Sequence, residues 1–294
     1  MTELLHPRPA DPAMPAIKGH LPVLLPVRPP RPVTAAELFT PGTALLLLVL
    51  LAWFSVGPVV AQAAGETRTP VALLLLKWTP VLAEGFAFNI LISILSMLAG
   101  TVLGVGLGVL QVSPNRLLAR LAWVVTQFFR NSPWLVLLFY CILLIPFELE
   151  ILGTTVPFPG WIKAVIGLSL PVMAYMSEFM RGAIQSIPSG QWESAASLGF
   201  TRRQTMIEVI LPQTVTRVLP SWMNLYAVLT MATPIVSIVG VNEVMALTRA
   251  ALSSESRTDL LIPMYLYILG WFFLYCYPIS RLTRRLERKY AVKL

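Results

Sequence analysis

Six stretches of this chain, at about 43–63, 85–110, 121–146, 161–183, 220–241 and 260–280, are apolar over membrane length. Roughly 20 such residues cross the hydrocarbon of a bilayer as a helix. Only a helix or a closed barrel can satisfy its own backbone polar groups there. Composition agrees: 56% of the 294 residues are hydrophobic and 12% are charged, against about 25% charged in a soluble domain. The expected fold is an all-α integral membrane protein, a polytopic helical bundle. Val71–Trp78 is also apolar but too short to cross, and is assigned to a connecting segment, 64–84, at the outer surface. The first long apolar run starts near Thr43, too far along for a cleavable signal sequence, so it is expected to stay in the membrane.

Residues 1–41 hold ten of the 25 prolines, a density that blocks helix and sheet alike and predicts a disordered tail. Lysine and arginine set the orientation. With six spans and the N-terminus inside, 17 of the 22 basic residues fall on the cytoplasmic side, leaving Arg68, Lys77, Lys163, Arg249 and Arg257 outside. Both termini are therefore predicted to be cytoplasmic. The same bias accounts for the net charge of +8 without nucleic acid. Cys141 and Cys276 lie inside apolar runs and read as packed thiols. The histidines, His6 and His20, lie in the tail.

Within the second span Ser96, Gly100, Gly104 and Gly108 recur every four residues. They form a small-residue ridge of the kind that lets helix backbones approach closely in lipid. Pro171 and Pro234 fall inside the fourth and fifth spans, where a proline frees a carbonyl and bends a helix. Glu178 and Arg181 are three apart on one helical face. They can pair with each other or serve as a gate.

The stretch Arg181–Arg217 is the most informative. Pro188, Ser189 and Gly190 make a turn, and Gln191–Leu198 suits a short helix with a face of small residues. Gly199 suits the left-handed position that ends a helix. Thr201 and Gln204 have capping-box spacing. They open a second helix that is expected to stop at Pro212. The product is helix, glycine bend, helix, on the cytoplasmic side, with Glu193 free to meet a basic group on another protein.

This stretch resembles the EAA loop of ABC importer permeases. Glu193-Ser194-Ala195, Gly199 and Val209-Ile210-Leu211-Pro212 stand at the family's spacing, with Ser for Ala and Val for Ile as mild departures. One branch, the polar amino acid permeases, is similar over about 85–290. Its marks here are Arg130-Asn131-Ser132-Pro133, Ala174-Tyr175, Glu178, Arg181-Gly182, Gly190-Gln191-Trp192-Glu193, Gln213 and Asn224. The resemblance implies a five-span permease core with one extra N-terminal span, in a bacterial inner membrane. It implies a coupling loop at 188–213 whose Gln191, Glu193, Ala195, Gly199 and Pro212 dock on ABC ATPase subunits. ATP and magnesium would then sit on those partners, with no cofactor on this chain. A second permease chain, identical or related, and an external solute-binding protein complete the expected set, with lipid around it. Asn224, Thr233 and Pro234 are the candidates for the translocation path. The branch's Lys-Asp-Thr-Ser-Leu is replaced by Met231-Ala232-Thr233-Pro234-Ile235, so both charges are gone.

The sequence has no phosphate loop, no zinc pair and no nucleophile elbow. It therefore reads as a transport subunit rather than an enzyme. Two alternatives stand beside amino acid import: an ABC permease for another small solute, and a carrier driven by an ion gradient. The second would call for inverted repeats and midplane carboxylates, and Glu178 is the one candidate acid.

Overall fold

The structure, a computed structural model, describes residues 69–151 and 154–290. The Pro-rich tail and the apolar run at 43–63 lie outside the described residues. Eight helical elements follow one another: α1 (Val71–Gln111), α2 (Arg116–Asn131), α3 (Trp134–Leu144), α4 (Gly160–Gln185), α5 (Ser189–Ser197), α6 (Arg202–Val239), α7 (Val244–Glu255) and α8 (Leu261–Tyr290). Four of them, α1, α4, α6 and the stretch containing α8, are long and apolar enough to span a membrane. The α2–α3 pair makes a fifth if it counts as one broken span. A short antiparallel hairpin, β1 (Glu148–Ile151) with β2 (Thr154–Pro157), joins α3 to α4. The architecture is an all-α bundle with this single small ribbon among the described residues.

The structure corrects three sequence boundaries. The helix expected at 85–110 begins at Val71 and runs unbroken through Pro80 for 41 residues. The proline lacks an N–H and so costs the helix one bond, to the Leu76 carbonyl four residues back. Leu75 and Leu82 are buried against Val244, Met264 and Ile268, and this packing outweighs the lost bond. At 1.5 Å per residue α1 is about 60 Å long, twice the hydrocarbon thickness. The span expected at 121–146 is instead two helices bent by 104°. Pro133 disfavours helical geometry at the residue before it, and Ser132 is extended at φ −82°, ψ 137°. The helix expected to stop at Pro212 continues. Residues Thr205–Ile210 form a π-turn, and Pro212 follows it directly as the second residue of the α-helical part Leu211–Ala232, inside the continuous helix.

The small-residue ridge is the seam between α1 and α4. A Cβ at Gly100 would lie 2.5 Å from Val172 Cγ1. At Gly104 it would lie 2.6 Å from the Met173 carbonyl oxygen, and at Gly108 2.6 Å from Met180 Cβ. Contact this close is the main attraction between helices where lipid removes the hydrophobic drive. The core continues through Leu138, Leu168 and Leu229 in the middle of the bundle, and through Met180, Ile184, Ile210 and Val218 at the end that carries α5. Large apolar side chains face outward, with Val102, Leu143 and Leu144 each more than 70% exposed, as a lipid-facing surface requires. Pro171 sits inside unbroken α4, and Pro234 opens a 3-10 segment, Thr233–Val239. Cys141 and Cys276 are buried free thiols.

Lys163 is fully buried near the start of α4. Its ammonium donates to the Ile145 carbonyl at 2.7 Å and lies 3.1 Å from the centre of the Phe147 ring. It caps the carbonyl end of α3, where a cation is favoured. Lys163→Ala should lower the unfolding midpoint in detergent by about 5 °C. Lys163→Met, which restores volume but no donor, should fall between alanine and the parent.

Candidate functional site

The bent segment forms as its local chemistry dictates. α5 follows Pro188 and ends at Leu198, and Gly199 takes φ +80°. Its N–H donates to the Ala196 carbonyl at 3.0 Å, while the Phe200 N–H reaches back to the Ala195 carbonyl at 3.1 Å. These bonds occupy helix-terminal carbonyls that would otherwise be orphaned. Thr201 then caps the next helix: the Gln204 N–H donates to Thr201 Oγ1 at 3.3 Å, and the Thr201 N–H donates to Gln204 Oε1 at 2.9 Å. The predicted helix, glycine bend and capping box are all present.

The docking candidates divide by exposure. Gln191, Glu193, Gly199 and Pro212 are exposed. Ala195 is 3% exposed. It is turned inward, on the side of α5 that packs on the π-turn of α6. Leu198, which the sequence did not single out, is 76% exposed at the tip. Behind the knuckle, Arg217 Nη1 donates to the Ser186 carbonyl and hydroxyl at 3.0 and 2.9 Å, tying α6 to the end of α4. Gln213 Nε2 donates to the Val209 carbonyl at 2.8 Å and to Gln191 Oε1 at 3.3 Å. Gln213 thus links α5 to α6, and Arg217 links α6 to α4.

Glu178 and Arg181 do pair, at 2.6 Å. Glu178 also accepts from Gln127 Nε2 at 3.2 Å and lies 3.8 Å from Arg130 on α2. The two branch-like segments around Arg130 and Glu178 thus meet. Beside them Gln111, Thr126 and Ser177 bond one another at 2.7 to 3.1 Å across α1, α2 and α4.

The three path candidates are not brought together. Asn224 is exposed, whereas Thr233 is fully buried. Nine helical residues separate them, which turns them to about opposite faces. Pro234 lines a groove of about 860 Å³ between α6, α7 and α8, with Met231, Met245, Tyr265, Phe273 and Arg284. Thr233 instead belongs to a buried polar cluster that sequence reasoning missed. Asn89 Nδ2 donates to Thr233 Oγ1 at 3.0 Å and to Glu243 Oε2 at 2.9 Å. The Val244 N–H donates to Asn89 Oδ1 at 3.1 Å, and the Met245 and Ala246 N–H groups donate to Glu243 Oε1 at 3.0 Å. Burial pushes the Glu243 carboxyl up, against the pull of these amides, of Asn89 and of the Arg249 charge. An asparagine inside an apolar run was the signal available for this cluster. At its far end α7 is fixed again: Lys77 and the Trp78 indole donate to Glu255 at 2.7 and 2.9 Å, holding that carboxyl below its usual range. Among the described residues no group of histidine, cysteine or acidic side chains is arranged to hold a metal.

Comparison with known proteins agrees with this geometry. Residues 100–292 match the family described as binding-protein-dependent transport system inner membrane component. The probable amino-acid ABC transporter permease protein YckA of Bacillus subtilis is 34% identical over 212 residues, covering 72% of this chain and 90% of that protein. The L-cystine transport system permease protein TcyB of the same organism is 32% identical over 225 residues, covering 76% and 92%. A crystal structure of an amino acid ABC transporter with histidines superimposes with a TM-score of 0.62 at 25% identity, over 74% of this chain and 97% of that one. The methionine ABC transporter MetNI, in an inward-facing form, shares the fold with a TM-score of 0.58 at 19% identity, over 71% and 98%. With a family match over most of its length and relatives this similar over most of theirs, the chain belongs to the inner-membrane permease components of binding-protein-dependent ABC transport systems.

Proposed function

We propose that this permease carries a small polar solute, an amino acid, across the bacterial inner membrane, driven by separate ATPase subunits. The observation that carries this reading is the exposed knuckle from Gln191 to Pro212. It is bent at a left-handed glycine and braced to two spans by Arg217 and Gln213. Gln191, Glu193, Gly199 and Pro212 would meet the ATPase, with Leu198 as the apolar tip. ATP and magnesium would stay on that partner, and this chain would do no covalent chemistry. Both termini and the knuckle would face the cytoplasm, by the distribution of basic residues. A second permease chain, the same or a relative, would close the groove beside Met231 and Pro234 into one path, and an external binding protein would deliver solute. The amino acid assignment follows the relatives; the two charges missing at Met231 and Ala232 set this chain's path apart from its branch.

Gentle purification from native membranes should bring the ATPase along, whereas a gradient-driven carrier would come alone. Glu193→Lys and Gly199→Trp should each insert normally, yet reduce uptake of a labelled amino acid mixture by about tenfold or more, as a coupling contact of this kind commands. Full uptake with tryptophan at 199 would rule out the docking role.

A further inference from the structure

Glu178 lies two turns before the end of α4, with its side chain 11% exposed. Its Oε2 receives Arg181 Nη2 at 2.6 Å from its own helix, and the same oxygen is 3.8 Å from Arg130 Nη1 on α2. Arg130 stands in the last turn of α2, just before the chain turns by 104° into α3. One carboxylate oxygen is therefore bonded to a guanidinium on one helix and about 1 Å beyond bonding distance of a guanidinium on another. Arg181 is also incompletely used: Nη1 donates to Gln185 at 3.0 Å, while its buried Nε has no protein partner. Gln127 holds the other carboxylate oxygen, and the uncharged contact of Gln111, Thr126 and Ser177 lies one residue away along α2 and α4. The site has a pivot that need not break and a charged contact with two possible owners.

We propose that Glu178 is a positioning residue that passes movement of the docking knuckle to the bent pair α2–α3, by exchanging Oε2 between Arg181 and Arg130 during the transport cycle. The proposal rests on the reading of α5 as the docking helix. α4 is the rigid link, since Arg217 fixes its end beside the knuckle. A helix shift of 1–2 Å, typical of such transitions, is enough to bring Arg130 into direct contact. The bend at Pro133 would then re-aim α3. Helix α2 exposes Leu117, Leu121 and Phe128 and buries Ala122 and Thr126 alone, so a small shift against α4 disturbs few packed side chains.

Arg130 distinguishes this role from a structural one. It is 43% exposed on its side chain and 3.8 Å from its partner, and a pair that long and exposed adds next to nothing to stability. If Glu178 and Arg181 merely brace one helix, Arg130→Gln is silent. The test uses the permease purified with its ATPase subunits in lipid nanodiscs. Nitroxide labels go at Val124→Cys, half-exposed on α2, and Gly182→Cys, where a Cβ meets nothing within 4 Å. Cys141 and Cys276 are replaced by alanine. In the parent, the α2–α4 distance should shift by about 2 Å between nucleotide-free and ATP-vanadate states. In Arg130→Gln the shift should vanish while the complex still hydrolyses ATP, and the same complex reconstituted in proteoliposomes should show uptake per ATP falling about tenfold. Arg130→Lys should keep both. An Arg130→Gln complex that shifts like the parent, or a parent with no shift, overturns the exchange. Loss of the ATPase from the parent complex would instead defeat the docking reading itself.

Discussion

Gly104→Leu should leave a chain that enters the membrane but cannot seat α1 on α4. A Cβ at this position already falls 2.6 Å from both the Met173 carbonyl oxygen and Met176 Cβ. The first contact is with backbone, so no rotamer change relieves it. The helices must separate along the whole ridge, from Gly100 to Gly108, or α1 must rotate and carry Asn89 out of its buried cluster. Overpacking a core costs about 1–3 kcal/mol when side chains can yield. Here they cannot, and the expected loss for leucine is at least about 3 kcal/mol, against a total stability of about 5–15. Gly104→Ala should cost about 1–2 kcal/mol by the same collision. Gly106→Ala is the control: its Cβ meets nothing within 4 Å, and alanine improves helix propensity by about 1 kcal/mol. Thermal unfolding in detergent, read by size-exclusion of the surviving monodisperse fraction, should rank the variants Gly106→Ala, parent, Gly104→Ala, Gly104→Leu. A Gly104→Leu protein with the parent's midpoint would refute the packing described for the seam.

The second large effect is expected at Glu243. Its carboxylate is itself fully buried and accepts from two part-buried backbone amides at the start of α7 and from buried Asn89. Alanine strands the two amides and one Asn89 hydrogen. Each buried donor left without a partner costs about 1–3 kcal/mol, so Glu243→Ala should destabilise the fold by about 4 kcal/mol. Glu243→Gln keeps an acceptor for the amides but turns an amino group toward Asn89, and should lose about 1.5 kcal/mol. Asn89→Asp combined with Glu243→Gln puts an acceptor opposite that amino group and should recover part of the loss. Chemical unfolding with and without the second change provides the cycle. Equal midpoints for Glu243→Ala and Glu243→Gln would mean that the carboxylate is not the cap.

What the sequence could reveal was local. The capping box at Thr201–Gln204, the left-handed glycine at 199 and the four-residue ridge at 96–108 each depend on residues within one or two turns of one another, and each is found as expected. The start of α1 was missed because Lys77, Pro80 and Glu84 interrupt the apolar pattern. What keeps the helix going is burial of Leu75 and Leu82 by residues about 160 or more positions away. The bend at Pro133 was hidden by an apolar run that continues past it. The Asn89–Thr233–Glu243 cluster was invisible for a similar reason: its members come together only after the chain reverses at Gly240, with φ +87°. The knuckle and the Glu178–Arg181 pair within one helix were therefore legible, while the polar contacts between helices, at Gln127, Arg130 and Arg217, were not.

The π-turn at Thr205–Ile210 stores one residue more than an α-helical turn would. Each residue of helix rotates its neighbours by about 100°, so this surplus acts as an angular offset between the glycine elbow and the long span above it. Drawing it out into ordinary helix would swing every side chain beyond Leu211 around the axis, aiming Met231 away from the groove it now borders. The count of residues from the elbow to Pro212 thus works as a clock setting for the bundle.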